Sequence, residues 1–243
     1  TNNNVHDNAD NGLAAMGLKE GAGPTVISNN TVANNGRFGI EIKNPKANGT
    51  LVGDGSVVVQ NNNVSFTAAP GMNNRDHAGI SVFRRDMLPG NSAGYPDFPS
   101  GVMILGNTVT GYKQLNPLSI ESRGYGIVIE GIRHTVTGNT IQNNDIGIQE
   151  QGGAHPTANY VMNDAGNGEQ TDGFSANYFG RGNAPIACGN IFSPNTFSGN
   201  TTNTNSVTAN SFGLVQNTNT GQYYCSIQAA INDPLTLNGH TIV

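Results

Sequence analysis

Six of the eleven basic residues in this 243-residue chain fall between positions 75 and 133: Arg75, Arg84, Arg85, Lys113, Arg123 and Arg133. Asp76, His77, Asp86, Glu121, Glu130 and His134 are interleaved with them. A lyase acting on a uronate needs a cation to neutralise the substrate carboxylate and a base to remove the adjacent proton. Arg84 or Arg85 suits the first task and Lys43 or His134 the second. A glycosidase needs two carboxylates flanking the scissile bond, and Glu41 with Glu130 is the pair on offer. The catalytic candidates are therefore Lys43, Arg84, Glu130 and His134. Binding without turnover would use Glu41, Lys43, Arg84, Arg85, Glu130 and Arg133 as a groove for an anionic sugar chain. The competing expectation is a solvated sheet face with cross-strand ion pairs, each worth little.

These residues hang on a repeat. Asn-Asn-Asn-Val at 2–5, Asn-Asn-Thr-Val at 29–32, Asn-Asn-Asn-Val at 61–64, Gly-Asn-Thr-Val at 106–109 and Gly-Asn-Thr-Ile at 138–141 recur down the chain. Each is followed by a Gly and an apolar residue: Gly12-Leu13, Gly39-Ile40, Gly79-Ile80, Gly126-Ile127 and Gly147-Ile148. Aligning the asparagines gives Asn3, Asn30, Asn62, Asn107 and Asn139, then Asn190 or Asn200, then Asn210. Such self-similarity marks stacked supersecondary units. Asn tolerates the left-handed backbone that sharp corners need, and stacked Asn side chains bond along the stacking axis. Period-2 alternation then puts Lys43, Phe83, Glu130 and Gln151 in one outward column. Glu41, Ser81, Val128 and Gln149 form the next. The expected fold is all-β: a right-handed parallel β-helix, one domain over 1–225, with a long loop at about 152–187.

Composition narrows the function classes. A net charge of −5 gives no electrostatic footprint for nucleic acid. No apolar run is long enough to span a bilayer. With no Trp, platforms for stacking neutral sugars or bases are sparse. Asp164-Ala-Gly-Asn-Gly-Glu169 carries oxygen ligands in a Gly-rich loop, the one hint of calcium, but without the spacing of a full calcium motif. No metal site and no other cofactor is expected. Cys188 and Cys225 are either a disulfide or two buried thiols.

The Asn-x-Val/Ile and Gly-Ile repeats over roughly residues 2–151 resemble those of the pectate-lyase-like superfamily of parallel β-helix proteins. The terminal Ser-Ile-Gln-Ala-Ala-Ile-Asn-Asp…Gly-His-Thr-Ile-Val resembles cap segments of bacterial secreted and surface members. The resemblance implies a β-helix and an extracellular or cell-surface location. It leaves activity open among lyases, hydrolases, epimerases, tailspikes and adhesins. The paired Asp-Asp with Gly-His-Gly expected of polygalacturonases is missing, as is the Asp-Pro-His of alginate epimerases.

The leading expectation is a secreted or cell-surface structural or adhesive module. Its partners would be other copies of itself or adjoining β-helix units, joined head to tail in a fibre or tandem array. The alternative is a polysaccharide-active enzyme, most of all a lyase on an acidic glycan. Residues 226–243 read as a short helix, with Ser226 as N-cap and Pro234 as stop, followed by a strand. Ile227, Ile231 and Ile242 are expected to be buried against a β-helix end. The chain opens at Thr1 within a repeat, which suggests a mature chain or a piece of something longer.

Overall fold

The computed structural model describes residues 1–16, 24–43, 45, 57–67, 77–83, 99–113, 124–151, 162–163, 169–170, 187–206 and 215–243. Three sets of parallel strands alternate along these segments. The first sheet runs β1 (Asn4–His6), β4 (Thr31–Ala33), β7 (Asn63–Ser65), β10 (Thr108–Thr110), β13 (Thr140–Gln142) and β18 (Thr196–Ser198), neighbour to neighbour. The second runs β2 (Leu13–Met16), β5 (Phe38–Lys43), β8 (His77–Phe83), β11 (Gly124–Ile132), β14 (Ile146–Gln151) and β19 (Thr202–Ser206). The third runs β3 (Thr25–Ser28), β6 (Val57–Gln60), β9 (Val102–Leu105) and β12 (Thr135–Thr137). β17 (Ala187–Cys188) pairs with the far end of β11. β15 (Met162–Asn163) and β16 (Glu169–Gln170) form a small antiparallel pair.

Alternation explains the main core. Val32, Val64, Val109 and Ile141 of the first sheet face Ile40, Ile80, Ile127 and Ile148 of the second and Val59, Ile104 and Val136 of the third. All are buried. Because strand side chains alternate faces, a one-residue slip in any strand would turn these residues out.

The junctions from the third sheet to the first repeat one dipeptide pattern. The residue in the left-handed region comes first: Asn29, Asn61, Gly106 or Gly138, with φ of 55°, 54°, 62° and 69°. The ladder asparagine comes second. Asn3, Asn30, Asn62, Asn107 and Asn139 each donate a backbone N–H to the Oδ1 of the next, ending at Asn195, at 2.9–3.0 Å. Each also donates its Nδ2 to that same oxygen, at 2.8–3.0 Å. The four central asparagines thus stack as expected, but the left-handed backbone belongs to the residue before them. The sixth member is Asn195, rather than Asn190 or Asn200. Those two serve other junctions: Asn200 accepts from Asn144, and Asn190 accepts from His134.

Four of the five recurrent glycines, Gly39, Gly79, Gly126 and Gly147, lie within strands of the second sheet, and close approach requires them. A Cβ on Gly126 would sit 2.6 Å from the Gly147 carbonyl oxygen and 2.8 Å from Ile141 Cγ2. Gly39 meets the Gly79 oxygen at 2.6 Å and Val64 Cγ1 at 2.5 Å in the same way. The column lets the first sheet's inward Val or Ile press directly on the second sheet's backbone.

The C-terminal segment departs from its expected role. β20 (Val215–Asn217) and β21 (Gln222–Tyr224) form an antiparallel hairpin, and α1 spans Ile227–Asn232 with Ser226 as N-cap. The chain end pairs antiparallel with β20 through Gln216, Thr218, Thr241 and Val243. The Cys188–Cys225 disulfide ties this unit to β17. Ile227 and Ile231 are 62% and 54% exposed, and Ile242 is half-buried, so they do not pack on a sheet end within this chain. Asn217 explains the difference. It is fully buried, and its amide binds Thr236, His240, Asn219 and Thr220, closing the unit on itself.

Two substitutions test this framework. Asn107→Ala removes the acceptor of Asn62 and the donor to the Val59 carbonyl, and should cost about 1–3 kcal/mol through unpaired buried groups. Gly126→Ala should cost a similar amount, about 1–3 kcal/mol, by overpacking. Urea unfolding should show lower midpoints at unchanged slope for both. Wild-type midpoints would contradict the ladder and the glycine column respectively.

Candidate functional site

The two outward columns are in the expected register. Glu41 pairs with Ser81, Ser81 with Val128 and Val128 with Gln149; Lys43 pairs with Phe83 and Glu130 with Gln151. Their environment differs from both a solvated ladder and an open groove. Glu41, Ser81, Phe83, Val128, Glu130 and Gln149 are all buried. Phe38, Ala78, Phe83, Tyr125 and Val128 form a second apolar cluster on this side, with Phe38 and Phe83 ring centroids 5.4 Å apart. The central strands β5, β8 and β11 of the second sheet are therefore covered on both faces, as strands of parallel sheets commonly are.

Within this cover the charged side chains are engaged. Lys43 Nζ is 3.2 Å from Glu41 Oε2, and Asn11 Nδ2 donates to the same oxygen at 2.5 Å. Glu41 is buried and Lys43 half-buried, so the carboxylate takes its hydrogen bond and its charge partner from within the chain. Glu130 is not beside this pair. The strand carrying Phe83 lies between β5 and β11, which sets the two backbones about 10 Å apart. Glu41 and Glu130 are offset further, by two residues along the strand, with buried Val128 and Phe83 in the intervening positions. The structure thus brings Glu41 and Lys43 together and holds Glu130 apart from them. Arg84 and Arg85 lie outside the described residues, as do positions 164–168 of the calcium-like loop.

His134 and Arg133 sit at the junction between β11 and β12. Arg133 takes the left-handed position, with φ 57°, as Gly101 and Gly189 do in neighbouring repeats. His134 takes the ladder position. Its backbone N–H donates to Asn190 Oδ1 at 2.8 Å, and its Nδ1 accepts from the Val102 N–H at 3.0 Å. That leaves Nε2 to carry the proton and donate to the Glu130 carbonyl oxygen at 2.9 Å. The imidazole does the work of an asparagine amide. Burial lowers its pKa to about 4; the hydrogen bond to Glu130 opposes this and the Arg133 charge adds to it. It is neutral, and both ring nitrogens are occupied.

One cluster escaped the sequence reading. A second ladder joins Asn8 to Asn35 and Asn144 to Asn200. Between them Tyr112 takes a ladder position, its backbone N–H donating to Asn144 Oδ1 at 3.0 Å. Its ring stacks on Phe66, with centroids 5.6 Å apart, and the His77 ring meets both edge-on. All three are buried. The Tyr112 hydroxyl has no hydrogen-bond partner among the described residues. Neither His77 nitrogen reaches good hydrogen-bond geometry among the described residues, although the Lys113 backbone faces the ring. Burial lowers the His77 pKa to about 4 and raises that of Tyr112. The clue in the sequence was Gly111-Tyr112, a left-handed glycine followed by an aromatic residue where Asn-Asn stands elsewhere.

No protein-family model, curated protein or solved structure matches the chain.

The two buried histidines make stability depend on pH. Their folded-state values, about 4, lie below the ordinary 6.5, so the unfolded chain binds protons first as the pH falls. The stabilisation is complete above pH 6.5 and is lost on the way down to pH 4, by about 3 kcal/mol per histidine. His134→Asn keeps the ladder acceptor and should flatten the unfolding profile between those pH values by about half. An unchanged slope would show that His134 is not held neutral by the fold.

Proposed function

We propose that the chain is a right-handed parallel β-helix serving as a secreted or cell-surface structural module that associates head to tail with its own kind. Support for the β-helix comes from the constant order in which the chain visits its sheets, third to first to second, at a shared register. Parallel crossovers are overwhelmingly right-handed. The Cys188–Cys225 disulfide favours an oxidising compartment.

One observation carries the structural reading. Glu41, Glu130 and His134 are each at most 1% exposed, and Lys43 is paired to Glu41. A base or acid must reach the substrate atom it serves. These groups instead bond to the protein's own frame.

Purified protein incubated with polygalacturonate or alginate should release no unsaturated uronate and bind neither polymer. Lys43→Ala should lower stability by about 1–3 kcal/mol by taking one charged partner from the buried Glu41 carboxylate, which keeps its hydrogen bond from Asn11. Cleavage that disappears in Lys43→Ala, with stability unaltered, would favour the lyase reading instead.

A further inference from the structure

An amine, a carboxyl group and a carboxamide meet at one oxygen atom. Asn11 Nδ2 donates to Glu41 Oε2 at 2.5 Å, and Lys43 Nζ is 3.2 Å from the same atom. The two nitrogens come from successive repeats: Asn11 lies just before β2, while Glu41 and Lys43 are on β5. Strand pairing fixes the meeting. β2 runs parallel to β5 with Ala14 opposite Glu41 and Met16 opposite Lys43, and the Gly12 N–H donates to the Phe38 carbonyl oxygen at 2.9 Å. Asn11 therefore enters level with the start of β5, and Lys43 reaches back from its end.

The surroundings are dry on the side of the neighbouring strand. Ser81, in register with Glu41, and Phe83, in register with Lys43, are fully buried. Glu41 is 1% exposed. Asn11 Oδ1 is buried too, and it accepts no hydrogen bond among the described residues. A buried acceptor without a donor is costly. The one group beside this amide that can become a donor is Glu41, by taking a proton.

We propose that Lys43 and Asn11 join in an intramolecular isopeptide bond, with Glu41 as the acid–base group of the reaction. Lys43 passes a proton to Glu41 across their contact, which leaves a neutral amine and a carboxylic acid. A site poor in water favours this neutral pairing over two charges. Turning the amide about its Cβ–Cγ bond then lets Oδ1 accept from the Glu41 hydroxyl, which polarises the carbonyl. Nζ attacks Cγ, Glu41 relays a proton from Nζ to Nδ2, and the Cγ–Nδ2 bond breaks. One C–N bond forms and one breaks, and nothing is oxidised or reduced. Ammonia leaves and carries off the proton that Lys43 gave up, so Glu41 ends as a carboxylate. Holding the amine and the amide on one oxygen supplies the proximity that an ordinary amide aminolysis lacks. The product is a covalent tie between successive repeats, closing a loop from residue 11 to residue 43.

Peptide mapping of the purified, reduced and alkylated chain tests this. Trypsin should release residues 1–19 joined to residues 38–46, lighter by one ammonia than the two peptides together and uncut after Lys43. Mass alone does not decide, because Asn11 precedes Gly12 and an Asn-Gly succinimide also expels ammonia. Fragmentation of the joined peptide should place the branch between Asn11 and Lys43. Lys43→Arg removes the attacking amine, and Glu41→Gln removes the proton relay at nearly the same shape. Both variants should yield separate peptides, and on a reducing, denaturing gel both should run behind the more compact parent. Separate peptides 1–19 and 38–43 from the parent chain overturn the inference, as does a succinimide at Asn11 with Lys43 unlinked. A branch that persists in Glu41→Gln overturns the role of Glu41. Should either variant fail to fold, the map of the parent chain decides by itself.

Discussion

A single side-chain amide, repeated at one position in successive repeats, fixes how the sheets sit on each other. The Oδ1 of a ladder asparagine takes two donors from the preceding repeat. Its Nδ2 serves the next asparagine and a backbone carbonyl; for Asn139 those are Asn195 Oδ1 and the Ile104 carbonyl oxygen. Such a group is costly to bury unpaired and inexpensive to bury when every lone pair and proton is used. Once it is in place, register is no longer a choice: shifting a repeat by one residue breaks the ladder and exposes the inward Val and Ile together. The left-handed residue before each asparagine turns the chain, and the glycine column lets the first and second sheets close on each other. Both are conditions for the amide to reach its partner.

The same constraint explains the apparent chemistry. His134 looks like a base in the sequence because imidazole usually titrates near neutrality. In the fold it replaces an asparagine, with one nitrogen accepting a backbone N–H and the other donating to a carbonyl oxygen. Tyr112 does something similar at another junction, where the amide ladder gives way to the stack with Phe66 and His77. These are positions where the repeat tolerates another residue because the junction remains filled and dry.

Much of the frame was legible from spacing alone, because Asn-x-Val/Ile and Gly-Ile mark backbone positions with few chemical solutions. The ladder members Asn30, Asn62, Asn107 and Asn139 and the pairings of Glu41 with Ser81 and Glu130 with Gln151 follow from that spacing. Asn195 was hidden because Pro194 and Phe197 replace the usual Gly and Val around it. The burial of the outward columns was not legible. Alternation tells which face a residue takes, but what covers that face depends on contacts remote in sequence, and the second cluster of Phe38, Phe83, Tyr125 and Val128 has no period to reveal it. The terminal helix was legible as a helix, since its cap and stop are local signals. Its packing was not, since buried Asn217 lies upstream of it and closes the unit through tertiary contacts.

Hydrogen exchange of individual backbone amides tests the ladder most directly. The N–H groups of Asn30, Asn62, Asn107 and Asn139 lie outside the strands, at junctions where loop-like exchange is the ordinary expectation. The ladder requires them to exchange only through global unfolding, as slowly as core amides such as that of Ile127. Exchange of these four amides at the rate of exposed turns, with the strand amides still protected, would contradict the account.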